Sequence, residues 1–310
     1  MIIITGALGF IGYNILKKLN QNGVTEIIIV ENIKQTKSLD IKLKRLKSVR
    51  FMDIVDRWDI EKVLNRRIEC IFHQGACTNT MENNFEYVLT SNYEFTKKLI
   101  DWCVGNRVKM IYASSASVYG DVKIPVDEDS SLNPLNYYAY SKFLVDNYFI
   151  NISRCNKTRI VGLRYFNVYG PHEENKGDMS SVVFKFFHQN KNKGKVLLFE
   201  GSQNFRRDFI HVDDIVKINL FFFENEHEGI FNCGSGRSET FFNVAQMVIK
   251  YMGYGKIQYI KFPSKLVNRY QAFTQANNSK LVSITGMSFV TLEQGIKEYI
   301  DYLSKQSGNE

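Results

Sequence analysis

The stretch Ile2–Gly12, reading IIITGALGFIG, constrains the fold more than any other part of the chain. Four β-branched residues end at Thr5, glycines follow at Gly6, Gly9 and Gly12, and an amphipathic run begins at Phe10. A chain passing sharply from strand to helix needs each glycine for a different reason. Gly6 permits the tight turn, Gly9 lets backbone approach a pyrophosphate, and Gly12 lets the helix pack against the strand. The N–H groups of Phe10 and Ile11, in the first helical turn, then face the anion. Three glycines at this spacing are a weak signal by themselves. Here a strand precedes them, a helix follows, and Glu31 ends a second strand-like run, where a carboxylate reaches an adenosine ribose. That context predicts a bound dinucleotide.

Short β-branched runs alternate with amphipathic ones through the first half. Ile2–Thr5, Glu26–Val30, Val49–Met52, Cys70–His73 and Lys109–Ala113 read as strands, and Phe10–Asn22, Asp59–Leu64 and Tyr87–Val104 as helices. Such alternation gives right-handed crossovers and a mostly parallel sheet covered on both faces, which is why its strands are continuous apolar runs. The expected fold is α/β: a Rossmann-type doubly wound parallel sheet with a smaller mixed α/β substrate lobe. Residues 1–166 should form the dinucleotide domain, segments about 208–238 should return to it, and 167–310 should make most of the lobe.

Composition closes off other classes. No apolar run approaches the ~18 residues of a membrane span. Met1 leads directly into a strand, with no basic leader or cleavage site, so a cytoplasmic location is expected. The five cysteines form no CxxC pair and suit a reducing compartment. The five histidines are scattered, so no metal is expected. The charge of +8 comes from lysines and arginines spread along the chain without a nucleic-acid motif, and reads as solvated surface that favours anionic ligands.

Two further motifs carry chemistry. YASSASVYG (Tyr112–Gly120) places Ser114 and Ser115 at the carboxyl end of a strand, the edge where open α/β sheets bind ligands. NYYAYSKF (Asn136–Phe143) opens a helix on which Tyr138 and Lys142, four residues apart, share a face. A phenol with an ordinary pKa near ~10 is a poor base at neutral pH. A neighbouring ammonium and an oxidised nicotinamide ring both favour the phenolate, so the pair can take a hydroxyl proton while hydride leaves the same carbon. Tyr137 and Tyr140 lack the spacing to Lys142.

With the glycine turn, the serine strand and the Tyr-x-x-x-Lys helix, the chain resembles the extended short-chain dehydrogenases/reductases over essentially its whole length. That resemblance implies Ser115 bonded to the reacting oxygen, Tyr138 as acid/base and Lys142 holding the phenol and the nicotinamide ribose. It implies Gln74, Gly75, Ala76, Cys77 and Thr78 of HQGACT along the cofactor, Asp53 and Ile54 at the adenine edge, and Ser91, Val168 and Lys176 elsewhere against the dinucleotide. Glu31 alone favours NAD because a carboxylate repels a 2′-phosphate. Asn32, Lys34 and Lys37 follow, and a lysine there can neutralise that phosphate, so NADP is expected and NAD is the alternative.

Longer stretches resemble one branch of that superfamily, the ADP-glyceromanno-heptose 6-epimerases. They are FHQGACTNT (Phe72–Thr80), RYFNVYGP (Arg164–Pro171), NKGDMSSV (Asn175–Val182), LFEGSQNFRRDFIHVDD (Leu198–Asp214) and NRYQAFTQA (Asn268–Ala276). The likeness implies inversion at carbon 6 of an ADP-heptose through a transient ketone, with Tyr138 and Lys176 as the acid–base groups, for supply of lipopolysaccharide heptose. It implies Asn167, Asp178, Lys185, Phe199, Glu200, Gly201, Ser202, Arg207 and Tyr270 along the sugar nucleotide, and a homo-oligomer, a pentamer in that family. Arg207 is the natural partner of the pyrophosphate, since a guanidinium grips it bidentately. Asp178 stands where the branch usually has serine, and Lys185 where it often has histidine. Two rivals share the scaffold. A 4,6-dehydratase needs an Asp-Glu pair where Ala116 and Ser117 stand, whereas a UDP-hexose 4-epimerase fits the same motifs. A regulator that kept the fold and lost chemistry would lack Ser115, Tyr138 or Lys142.

Overall fold

The computed structural model describes residues 1–34, 43–263 and 271–307, which divide into two units. The first comprises Met1–Val118, Asn136–Arg164 and Val216–Phe231. It carries a seven-stranded sheet ordered β10-β6-β5-β4-β1-β2-β3, from β1 (Ile2–Thr5), β2 (Ile27–Glu31), β3 (Asp53–Asp56), β4 (Cys70–His73), β5 (Lys109–Ser115), β6 (Ile160–Tyr165) and β10 (Gly229–Cys233). The pairings β4–β5, β1–β4, β1–β2 and β2–β3 are all parallel. Each pair of successive strands is joined by a crossover rather than a hairpin, and β1, β2 and β4 are buried along their whole length. This is a Rossmann-like α/β architecture. After β1 the chain builds β2 and β3 on one side, and β4, β5 and β6 on the other, so the turn following β1 lies at the point where strand order reverses.

The third strand differs from expectation. It is Asp53–Asp56, not Val49–Met52, and it is the edge strand of the sheet. At an edge, two aspartates are tolerated and burial is only partial, so the more apolar run upstream was the misleading one. Between Phe85 and Asn106 the chain is helical throughout, but Leu89–Glu94 is wound as a π-helix. Such a widened turn is a frequent companion of functional sites.

The second unit comprises Tyr119–Leu135, Tyr165–Ile215 and Asn232–Glu310. Tyr119–Leu135, expected in the dinucleotide domain, falls here, and the segment shared with the sheet unit is Val216–Phe231. A three-stranded sheet orders β11 (Ser238–Thr240), β9 (Arg206–His211) and β7 (Asn167–Tyr169), and β12 (Lys256–Ile260) pairs with β8 (Lys195–Phe199). Helices Val182–Lys193, Phe241–Met252 and Leu292–Ser307 enclose a core containing Val183, Phe187, Val244, Val248, Ile296 and Ile300. Among the described residues no helix is long and apolar enough to cross a membrane, and no group of three or more His, Cys, Asp or Glu side chains is placed to hold a metal.

Candidate active site

The glycine turn has the tightness that close approach to a ligand requires. Gly6 sits at φ +68°, and a Cβ there would lie 2.7 Å from the Gly75 backbone, so the loops after β1 and β4 touch. A Cβ on Gly12 would stand 2.2 Å from the Gly6 carbonyl oxygen. Gly9 is the N-cap of the helix Phe10–Gln21, which has no side-chain cap and no acidic residue in its first turn. The exposed N–H ends and the helix dipole there suit an anion, so these residues fit a dinucleotide pyrophosphate. Glu31 is buried, and its Oε1 accepts from Leu8 N–H at 2.6 Å.

A directed hydrogen-bond chain ties this turn to the helix Tyr137–Ser153. Gly75 N–H donates to Thr5 Oγ1 at 3.1 Å, and Thr5 Oγ1 lies 2.6 Å from His73 Nδ1. His73 Nε2 lies 2.8 Å from Thr96 Oγ1, whose proton goes to the Asn92 carbonyl. Since Thr96 spends its proton on Asn92, His73 donates through Nε2, and Nδ1 accepts from Thr5. Asn92, inside the π-helical turn, accepts from Cys77 N–H at 2.7 Å and donates to Cys77 O and Ser141 Oγ, each at 3.0 Å. Burial of His73 pushes its pKa well below the usual value, and the nearby Lys142 and Arg57 charges add to this.

The helix Tyr137–Ser153 opens on Asn136, whose side chain accepts from Ala139 N–H at 2.9 Å. Tyr138 is half-buried and its hydroxyl is hydrogen-bonded to Ser115, whose Oγ also accepts from Ser117 Oγ at 2.9 Å. Burial raises the phenol's pKa, and the Ser115 bond works against it. Lys142 is buried, donates from Nζ to Ala113 O at 2.6 Å, and lies 6.0 Å from the Tyr138 ring centroid. Burial brings its pKa down to about 8 while Asp146 and Cys77 oppose the drop. Tyr138, Lys142 and Asp146 recur at four-residue intervals on one helical face. Asp146 is fully buried, accepting from Arg164 Nε at 2.8 Å and from the Tyr112 hydroxyl at 3.0 Å. The next helical turn below the lysine is therefore anchored in β5 and β6. The adjacent Ser114 is buried with its hydroxyl unpaired, so only Ser115 of the two serines meets the phenol.

In the second unit, Lys176 rides the short 3₁₀ turn Glu174–Met179. Its Nζ lies 3.9 Å from Glu173 Oε2, and Glu173 is fully buried, accepting from Ser181 N–H and Oγ, each at 2.6 Å. Burial lowers the Lys176 pKa, Glu173 resists, and Lys185 adds to the lowering. Lys185 donates from Nζ to Asp178 O at 2.7 Å, and the Asp178 carboxylate is exposed. Asn167 opens β7 and accepts from Thr274 Oγ1 at 3.2 Å, while Val168 pairs with Ile210. Phe199 closes β8 against Phe262, Gly201 turns at φ +81°, and Ser202 is buried. Glu200 and Gly201 line an open groove with Gln203, Phe242 and Tyr259. Arg207 is buried over the Phe241 ring and donates to the Arg206 and Gln271 carbonyls.

The NAD dependent epimerase/dehydratase family matches residues 2–234. The chain belongs to that family. It is 44% identical over 319 aligned positions to the ADP-L-glycero-D-manno-heptose-6-epimerase of Brachyspira hyodysenteriae, with 99% of each chain covered. The crystal structure of the Helicobacter pylori enzyme of the same name superposes with a TM-score of 0.87 at 28% identity, covering 98% of this chain and 96% of that one. A UDP-glucose 4-epimerase from Thermotoga maritima, with UDP-glucose, gives 0.84 at 26% identity over 99% of each chain.

In this epimerase/dehydratase member Ile28 pairs with Asp53 and Glu31 with Asp56, so Asp53 and Ile54 open the edge strand. Asp53 meets Arg66 at 3.7 Å. The residues level with Glu31 are Asp56, whose Oδ2 accepts from Ile33 and Lys34 N–H at 3.0 Å each, and Arg57 beside it. Arg57 is buried between the Trp58 and Phe95 rings, 4.5 Å from each, and donates to the carbonyl of buried Ser91 at 2.8 Å. Lys34 reaches out to Asp59 at 3.1 Å. Lys37 and Tyr270 lie outside the described residues, as does the start of the NRYQAFTQA stretch. Asn32 follows β2, while Ala76 and Thr78 sit in the loop after β4. Sequence reading missed Asn92, Asp146 and Glu173. Only Asp146 carried a local signal, its four-residue spacing from Lys142.

Proposed function

We propose that the chain is an ADP-glyceromanno-heptose 6-epimerase, which inverts carbon 6 of the heptose. The Tyr138–Lys142–Ser115 cluster carries this reading, joined to 44% identity across the whole chain with a curated enzyme of that name. The Gly6–Gly12 turn, Glu31 and Lys142 would hold a dinucleotide, which when bound would supply the hydride acceptor and donor for the sugar carbon. Tyr138 takes the C6 hydroxyl proton as the ketone forms and Ser115 steadies the oxygen. Lys142, held as an ammonium, keeps the phenolate accessible. Lys176, with its pKa lowered by burial, serves as the acid–base group for the other face. Asn167 and the Phe199–Ser202 stretch bind the sugar nucleotide. Arg207, with its donors on two backbone carbonyls, shapes the β9 end of that site.

NADP is the cofactor this reading favours, and the family also uses NAD. The chain acts in the cytoplasm as a homo-oligomer, a pentamer by likeness, which light scattering on the purified protein measures. The deciding experiment is incubation with ADP-D-glycero-D-manno-heptose, following C6 by NMR. Conversion to the L-glycero epimer is expected, and denaturation should release NADP. Turnover of UDP-glucose with an inert ADP-heptose would transfer the chain to the 4-epimerases, whose scaffold it shares.

A further inference from the structure

We infer that Arg45 is a residue that selects a 2′-phosphorylated dinucleotide, an inference resting on the NADP reading above. Sequence logic sought the cation immediately after Glu31. Of the two lysines it offered, Lys34 is turned to Asp59 and Lys37 lies outside the described residues. Arg45 comes from fourteen positions beyond Glu31 and returns to the glycine turn. Its Nη1 donates to Leu8 O at 3.0 Å and to Gly9 O at 3.2 Å.

Leu8 therefore has a carboxylate on one side and a guanidinium on the other. Glu31 Oε1 takes its N–H at 2.6 Å, and Arg45 takes its carbonyl. An acid at the end of the second strand marks where the adenosine ribose hydroxyls sit, and a 2′-phosphate there needs a cation close to that acid. Arg45 is placed to supply it. A planar guanidinium can hold carbonyls along one edge and phosphate oxygens along another, which a lysine ammonium cannot do with the same geometry.

The placement is built, not incidental to a loose segment. The guanidinium lies over the Tyr13 ring at 5.0 Å, and Tyr13 is a buried residue of the glycine-turn helix. The Tyr13 hydroxyl meets Ser48 Oγ at 2.6 Å, fixing the other end of the 3₁₀ turn Arg45–Ser48. Exposed Lys44, Lys47 and Arg50 flank it in the chain and make this a basic segment. An anion arriving there meets a positive field before it meets Arg45.

Isothermal titration of the full chain with NADP and with NAD, for the native protein and for Arg45→Gln, tests the assignment. Native protein should prefer NADP. The variant should lose roughly 10- to 100-fold in NADP affinity while NAD affinity stays within about threefold, the size of one charge-assisted contact. Arg45→Lys should fall between them. Equal loss for both dinucleotides would show that Arg45 merely braces the turn, and unchanged affinities would show that it does nothing there. Either result overturns the inference while leaving the NADP reading intact. Native protein that binds NAD as tightly as NADP would overturn the cofactor reading as well.

Discussion

Lys142 and Lys176 are both lysines whose pKa burial lowers, yet they are held in opposite ways. Lys142 sits on a seventeen-residue helix, its Nζ tied to a carbonyl 29 positions earlier, with Asp146 clamped to β5 and β6 beneath it. Lys176 sits on a six-residue 3₁₀ turn kinked at Gly177, φ +51°, and its buried partner Glu173 is fixed by Ser181, eight positions on. One lysine depends on the whole sheet and the other on a local loop. Damage to the first cluster should therefore cost stability along with activity, whereas damage to the second should cost mainly activity.

Tyr138→Phe should have the largest effect. The proposed mechanism makes its hydroxyl the acid–base atom, so turnover should fall by about 10³-fold or more while dinucleotide binding survives. Near-native turnover would remove Tyr138 from the chemistry. Lys176→Met should come next, slowing epimerisation by about 10²-fold without lowering the melting temperature measurably. A large drop in melting temperature would break the contrast, since it would show that the loop is structural.

Asp146→Asn should cost roughly 3–5 kcal/mol in denaturant unfolding, because Arg164 is left as a buried charge without its anion. It should also move the alkaline limb of the rate profile. Asp146 raises the Lys142 pKa, as Cys77 does, against a burial effect that brings it to about 8; Tyr138 and His73 are the other titrating groups beside it. Removing the carboxylate lowers the Lys142 pKa further, so the ammonium and the activity are lost at a lower pH. Double replacement Asp146→Asn with Arg164→Met should recover stability but not the alkaline limb. Recovery of both would make Asp146 purely structural. The smallest effect belongs to Glu173→Gln. Glu173 raises the Lys176 pKa, so its loss should shift that lysine's limb downward, with some cost in stability from the two Ser181 hydrogen bonds it accepts.

The same contrast explains what could be read without coordinates. The glycine turn and the Tyr138–Lys142 pair are contiguous, and backbone geometry alone gives each its chemistry. Asn92 was invisible because its role depends on a π-wound turn and on Cys77 and Ser141, distant in the chain. Arg45 was invisible because fourteen residues separate it from the acid it faces across Leu8. Glu173 looked like any loop acid beside Glu174, and only burial sets it apart. The slip at β3 had a physical source too. An edge strand has no need of a continuous apolar sequence, so hydropathy pointed to Val49–Met52.

The hydroxyl–imidazole relay that begins at Gly75 has only one self-consistent polarity. An imidazolium at position 73 would have to offer a proton where it now receives one from Thr5, and the link between the first and fourth strand ends would be reversed. His73 titrates well below its unfolded value near 6.5, so its contribution is complete above that pH and drains away as the medium acidifies. Because the folded imidazole stays neutral in mild acid, acidification should lower the unfolding free energy while the relay between the two strand ends stays closed.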